Sequence, residues 1–144
     1  MAKYTVTYKC GHQDEVTLFG KVEDRMKRLE WLSAQDCPDC KKQQAEDKAA
    51  GSNMQGTAKQ IAWAEDIKKT YLINIDELAA KVRTSNWPAE VCGIFGKILE
   101  GKRQQAETIL DATAWIDNRE VYTSQKALQR SVEAAANDMI NNPK

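Results

Sequence analysis

Lys9-Cys10-Gly11-His12 and, after twenty-four intervening residues, Cys37-Pro38-Asp39-Cys40 decide how the first third of this chain folds. Thiolate sulfur and imidazole nitrogen bind zinc tetrahedrally, and two ligands on each of two tight turns complete the shell. His12 is the one histidine in the protein, and it stands two residues from a cysteine. The predicted ligands are Cys10, His12, Cys37 and Cys40, and the predicted cofactor is Zn2+. A disulfide or inert buried thiols is the competing reading. It loses ground in a reducing compartment, where paired cysteines serve as metal ligands.

The flanking residues say how the two turns are brought together. Residues 3–9, Lys-Tyr-Thr-Val-Thr-Tyr-Lys, alternate and are rich in β-branched and aromatic types, so they read as a strand. Gly11 to Asp14 form a turn and Glu15 to Phe19 the return strand, with Gly20 breaking the pattern. In residues 21–34, Val22, Met26, Leu29 and Leu32 recur at helical steps, with Trp31 beside them. Pro38 suits the first turn of another helix, which puts Cys40 near an N-terminus that favours thiolate. The core of this unit, Tyr4, Val6, Tyr8, Val16, Leu18, Leu29, Trp31 and Leu32, is small. About 45 residues rarely bury enough apolar area to fold alone, so bound metal would supply folding free energy.

Beyond it, Lys41 to Ala50 are polar and helix-compatible, and Gly51-Ser-Asn-Met-Gln-Gly56 reads as a linker. Thr57 with Gln60 makes a capping box for a helix reaching about Lys69. Further helices are expected over Asp76–Arg83, after Asn86 with Pro88 in the first turn, over Gln105–Asn118 and over Ser124–Ile140. Val91, Ile94, Phe95, Ile98 and Leu99 give the cleanest amphipathic pattern, which Gly101 ends or kinks. The predicted fold class is α+β: a zinc-knuckle hairpin and helix unit at residues 1–50, then a small helical bundle at 57–144.

The composition narrows the function. Lys plus Arg and Asp plus Glu both number 21, so the formal charge is zero, which argues mildly against non-specific nucleic-acid binding. No apolar run is long enough to cross a membrane, and a charged-then-apolar leader is lacking, so the expected location is cytoplasmic. Four ligands in two pairs leave a catalytic zinc no open position. No phosphate-cradling glycine loop, Ser-His-Asp set or His-Glu-x-x-His motif is present, so no catalytic residue is assigned and the chain reads as a non-enzyme. Cys92, in Val91-Cys-Gly-Ile-Phe95, reads as a small buried hydrophobe. It becomes a fourth ligand only if the bundle folds back on the knuckle.

Two sets of residues are candidates for a partner surface. Trp63 with Gln60, and Trp115 with Asp117 and Arg119, carry residue types enriched at interface hot spots. Burial of both rings in the bundle, with Asp117 and Arg119 as a local ion pair or cap, is the stronger alternative. The second set is Lys21, Arg25 and Arg28 on one helical face, with Lys41 and Lys42 beside the knuckle. It reads either as a solvated face or as a grip on phosphates.

At these residues the chain resembles a known group. Lys-Cys-Gly-His with Cys-Pro-Asp-Cys resembles bacterial zinc-ribbon and treble-clef-like modules. Together with Lys59-Gln-Ile-Ala-Trp-Ala-Glu65 and Trp115-Ile-Asp-Asn-Arg119, it resembles small uncharacterised proteins of bacteria, phages and conjugative elements. The one-residue gap in Cys-Gly-His departs from the commoner two-residue gap. The resemblance implies a mobile-element setting and an inhibitor or modulator role, but no mechanism. The expected function is a zinc-binding accessory protein that holds a macromolecular partner, a protein before a nucleic acid. The alternative is a DNA- or RNA-binding regulator.

Overall fold

The computed structural model describes residues 1–142; the last two residues of the predicted 57–144 bundle, Pro143 and Lys144, lie outside the described residues. The chain is α+β, as its patterning predicts: a two-stranded antiparallel hairpin followed by helices. It divides into two units, Met1–Asp47 and Lys48–Lys144, with the boundary inside a helix.

In the first unit, β1 (Ala2–Thr7) pairs with β2 (Gln13–Leu18) in a register that sets Tyr4 opposite Val16 and Ala2 opposite Leu18. Alternation turns Val6 and Tyr8 inward, where they are buried with Cys37. Helix α1 (Val22–Ser33) lays Leu29 and Leu32 against this small core. Trp31, expected in the core, is instead 48% exposed. At 3.6 residues per turn Trp31 stands about 100° around the helix from Leu32 and about 160° from Leu29, so it points away from the core, and the Arg28 guanidinium covers its ring at 4.1 Å. Helix α2 (Pro38–Ala50) starts at Pro38, where the missing N–H costs no helical bond, and runs across the boundary.

The second unit is built on α3 (Ala58–Arg83), a single helix of 26 residues where the sequence suggested two. Its middle, Thr70 to Ile75, is rich in β-branched residues but contains neither glycine nor proline. Burial of Tyr71, Asn74 and Ile75 outweighs their weak intrinsic preference. The capping box is present in full: Gln60 N–H donates to the Thr57 hydroxyl at 3.3 Å, and Thr57 N–H donates to Gln60 Oε1 at 3.0 Å.

Helix α4 (Ala89–Thr108) continues through Gly101 rather than ending there. It stops before Ile109, and α5 (Ala112–Asp117) begins afresh under the Asp111 side chain, which accepts from Thr113 N–H at 2.9 Å. The expected helix over Gln105–Asn118 is therefore two helices with a break. The short α6 (Arg119–Thr123) and α7 (Gln125–Asn141) follow. Trp115, Ile75, Leu99 and Val132 are fully buried at the centre.

The stretch expected to be a linker, residues 51–56, is packed into the second unit. Gln55 N–H donates to Leu110 O at 2.6 Å and Ala112 N–H donates to Gln55 O at 3.0 Å, a short parallel bridge. Met54 is buried in the core. Gly56 adopts φ +149°, and a Cβ there would lie 3.1 Å from the Ala112 methyl, so the close approach needs glycine.

Candidate metal centre

The hairpin tip and the start of α2 meet at the four residues the sequence singled out. The ligand atoms of Cys10, His12, Cys37 and Cys40 lie within 4.8 Å of one another, positioned to hold a metal ion. Backbone hydrogen bonds assemble them: Tyr8 N–H donates to His12 O and Gly11 N–H to Tyr8 O, both at 2.9 Å, which tightens the hairpin tip. Lys9 N–H donates to Gln35 O at 2.9 Å and ties that tip to the approach to α2.

His12 Nδ1 is 3.4 Å from Cys10 Sγ, 3.6 Å from Cys37 Sγ and 3.3 Å from Cys40 Sγ. A tetrahedral ion bonded at about 2.3 Å to sulfur and about 2.0–2.1 Å to imidazole nitrogen holds sulfur and nitrogen roughly 3.5 Å apart. The spacing therefore fits one small ion at the centre. It also explains the one-residue gap in Cys-Gly-His. Nδ1 is the ring nitrogen nearer the backbone, and Gly11 turns the chain sharply between the ligands at φ +88°.

Two amides point at sulfur rather than at carbonyls. Cys37 N–H donates to Cys10 Sγ and Cys40 N–H to Cys37 Sγ, each at 3.4 Å. Such donors favour the thiolate. Without an ion the charges cannot all be accommodated. The Cys10 thiol is lowered to about 6, first by the Cys37 amide and then by that of His12. Cys40 is pushed up to about 12, first by its hydrogen bond with the Cys37 side chain and then by burial. The sequence placed the favoured thiolate at Cys40, inside the helix start. The amides instead serve the two sulfurs upstream, because each bonds a side chain earlier in the chain. A divalent cation among the four would outweigh the Cys37 hydrogen bond and the burial that hold Cys40 protonated.

Cys92 is no part of this cluster. It packs against the core of the second unit but is only partly buried, short of the full burial expected, with its thiol 3.6 Å from Val82 O and 3.7 Å from Ser85 Oγ.

The candidate partner residues separate clearly. Trp115 is 0% exposed, which corrects its place on a partner surface. Its Nε1–H donates to Ile109 O at 3.2 Å, and its ring packs against Tyr71 and Tyr122 at centroid distances of 5.9 and 4.5 Å. Trp63 is 49% exposed, with the Arg119 guanidinium 5.7 Å over its ring. Gln60 is engaged in the capping box. Asp117 and Arg119 make no ion pair with each other among the described residues: Arg119 Nη1 donates to Ile116 O at 3.0 Å, because the helix end there offers a free carbonyl.

Lys21, Arg25 and Arg28 lie at and within the first turns of α1, and none has a carboxylate within 4 Å among the described residues. The Arg25 guanidinium sits 5.9 Å over the Tyr4 ring. On α2, Lys41 Nζ donates to Gln35 Oε1, and Lys42 lies 4.0 Å from Glu46. The sequence reading missed how open α1 is. None of its residues is buried, and Phe19, Val22 and Met26 are exposed, Phe19 at 70%. Among the described residues, no helix is long and apolar enough to cross a membrane. Compared with known proteins, the chain matches no family model, no curated protein and no solved structure.

Proposed function

We propose that this protein is a non-enzymatic accessory protein whose first unit is held by structural zinc and grips a protein partner through α1. Three thiols and one imidazole suit zinc, and four protein ligands leave no position for a reacting water. The observation that carries the partner reading is the face of α1 and the chain entering it. Phe19, Val22 and Met26 are exposed on one side of a helix whose only core contacts are the partly buried Leu29 and Leu32, and Trp31 is exposed under Arg28 on another side. Aromatic residues, methionine and arginine are the types enriched at protein interfaces, and Trp and Arg dominate hot spots. The unpaired cations Lys21, Arg25 and Arg28 beside these apolar groups suit a partner whose apolar groove has an acidic rim. The resemblance to mobile-element proteins extends this to an inhibitor or modulator of a host complex.

The same unpaired cations, with Arg28 stacked on Trp31, support the alternative of a nucleic-acid-binding regulator. Two measurements separate the readings. A photo-crosslinker at position 22 should capture a protein from host extract with the wild-type face. Capture should fail when Trp31→Ala and Arg28→Glu are combined; equal capture by that double variant would refute the α1 surface. Fluorescence anisotropy with short single- and double-stranded DNA and RNA should show no binding that survives physiological salt. Binding that survives, and that falls steeply as salt rises further, selects the nucleic-acid reading.

A further inference from the structure

The second unit contains a cavity unconnected with the metal centre. It opens to solvent on one side, has a volume of about 130 Å³ and is walled by residues of α3, α4, α6 and α7 together with Ile109. Apolar groups, among them Ala106, Ile109 and Leu128, make most of its wall. An apolar cavity of about 150 Å³ accommodates a benzene ring, so this one has room for a single small ring or a short branched chain.

Its polar lining residues are Tyr71, Lys102, Gln105, Tyr122 and Ser131. Lys102 Nζ donates to Ser131 Oγ at 2.8 Å, and among the described residues no carboxylate lies within 4 Å of it. A half-buried ammonium bonded to one hydroxyl has two further donors to give. No carboxylate lines the cavity. Tyr71 is buried, but its hydroxyl keeps contact with solvent; among the described residues no protein group hydrogen-bonds it or the neighbouring Tyr122 hydroxyl. Burial, and then the Tyr122 charge, push the Tyr71 phenol above its usual range, so it stays a proton donor across neutral pH. An uncompensated cation and phenolic donors around an apolar hollow make a specific kind of binding site: the walls take a hydrocarbon body and the polar groups fix one anionic head.

We propose that this cavity binds a small organic monocarboxylate with a compact apolar body, Lys102 acting as its counter-ion and Tyr71 or Tyr122 as a second hydrogen-bond donor. The ammonium supplies charge, which an alcohol or amide of the same shape cannot use. The hollow supplies the apolar contact, which acetate is too small to make.

The probe is benzoate, titrated into the full zinc-loaded chain and followed by calorimetry and by amide NMR shifts. Benzoate should bind at least tenfold more tightly than benzyl alcohol or acetate, a difference of about 1.4 kcal/mol. The shifts should centre on Tyr71, Lys102 and Leu128. Lys102→Met keeps the aliphatic stem and removes the charge; it should weaken benzoate about tenfold or more and leave benzyl alcohol unchanged. Ala127→Leu narrows the hollow and should abolish binding of both ring compounds, with the unit's remaining amide spectrum as the check that it is folded. Failure of benzoate to bind at millimolar concentration would overturn the proposal. So would equal affinity for benzyl alcohol, or benzoate binding that survives both substitutions.

Discussion

Replacing Cys37 by serine, or stripping the metal with a strong chelator, should unfold residues 1–47 and leave the second unit standing. The magnitude follows from what else holds that unit. Its fully buried apolar residues besides the ligand Cys37 are Val6 and Tyr8. At about 1.5–3 kcal/mol for each fully buried side chain, they contribute roughly 3–6 kcal/mol. Val16, Leu29 and Leu32 are only partly buried and add less. A structural zinc site contributes about 10–16 kcal/mol of apparent binding free energy at neutral pH. Whole domains are stable by only about 5–15 kcal/mol, so removing the larger contribution leaves the smaller one against the full ordering entropy of the chain. The second unit has its own core around Trp115, Ile75, Leu99 and Val132. The assay is a two-dimensional amide NMR spectrum of the full chain before and after chelation, repeated on Cys37→Ser with zinc present. Amides of β1, β2 and α1 should collapse to the unfolded region while those of α3, α4 and α7 stay dispersed. Readdition of zinc should restore the wild type and not the variant. If the chelated wild type keeps dispersed strand amides and an unchanged melting curve, the apolar contacts suffice and the argument fails.

Cobalt substitution should give the intense visible absorption of a four-coordinate sulfur-rich site with a sulfur-to-metal charge-transfer band; a weak spectrum of higher coordination would show an open shell. Trp115→Ala should destabilise the second unit by about 3–5 kcal/mol in urea titration, because the ring is fully buried and its N–H bonds Ile109 O; a loss under about 1 kcal/mol would show that the site is not core. Gly11→Ala should weaken metal affinity, since φ +88° is strained for an alanine although no atom blocks the methyl; competition with a chromophoric chelator reads the loss, and unchanged affinity would show that the turn relaxes freely. Asp111 is held below the usual carboxylate value, first by the Thr113 hydroxyl and then by the Thr113 amide. Its contribution is therefore present above about pH 3.9 and is lost as the pH falls through the lowered folded value. The stability difference between wild type and Asp111→Ala should shrink as the pH is taken below that point, and a difference that holds constant down to pH 2 would contradict the assignment.

The candidate metal centre was legible because its chemistry is local: the two ligand pairs are carried by short turns whose residues the sequence displays directly. The hairpin and the inward placement of Val6 and Tyr8 follow from simple alternation. The bundle was legible as a class but not in its divisions. Thr70 to Ile75 look strand-like in isolation, and only the burial of Tyr71 and Ile75 against distant helices makes them helical. The break before α5 was hidden because its cause, the Gln55 bridge to Leu110 and Ala112, joins residues far apart in sequence. The two tryptophans could not be told apart from their helices alone. Trp115 goes inward because Tyr71 and Tyr122 meet it there, and Trp63 stays half outside under Arg119. The hollow left no sequence signal at all, because its polar members come from four separate helices.

That bridge between Gln55 and Asp111 also bears on the order in which the bundle comes together. Closing so long a loop in a flexible chain costs about 3.5 kcal/mol in entropy beyond a constant. Its two hydrogen bonds, at about 1 kcal/mol net each, and the burial of Met54, at about 1.5–3 kcal/mol, do little more than offset that cost. The bridge therefore gains by forming after α3 and α4 have paired, when the ends it joins are already neighbours. It is a latch closed late in folding and opened early in unfolding, and residues 51–56 become the place where a protease first finds extended chain in an otherwise native bundle.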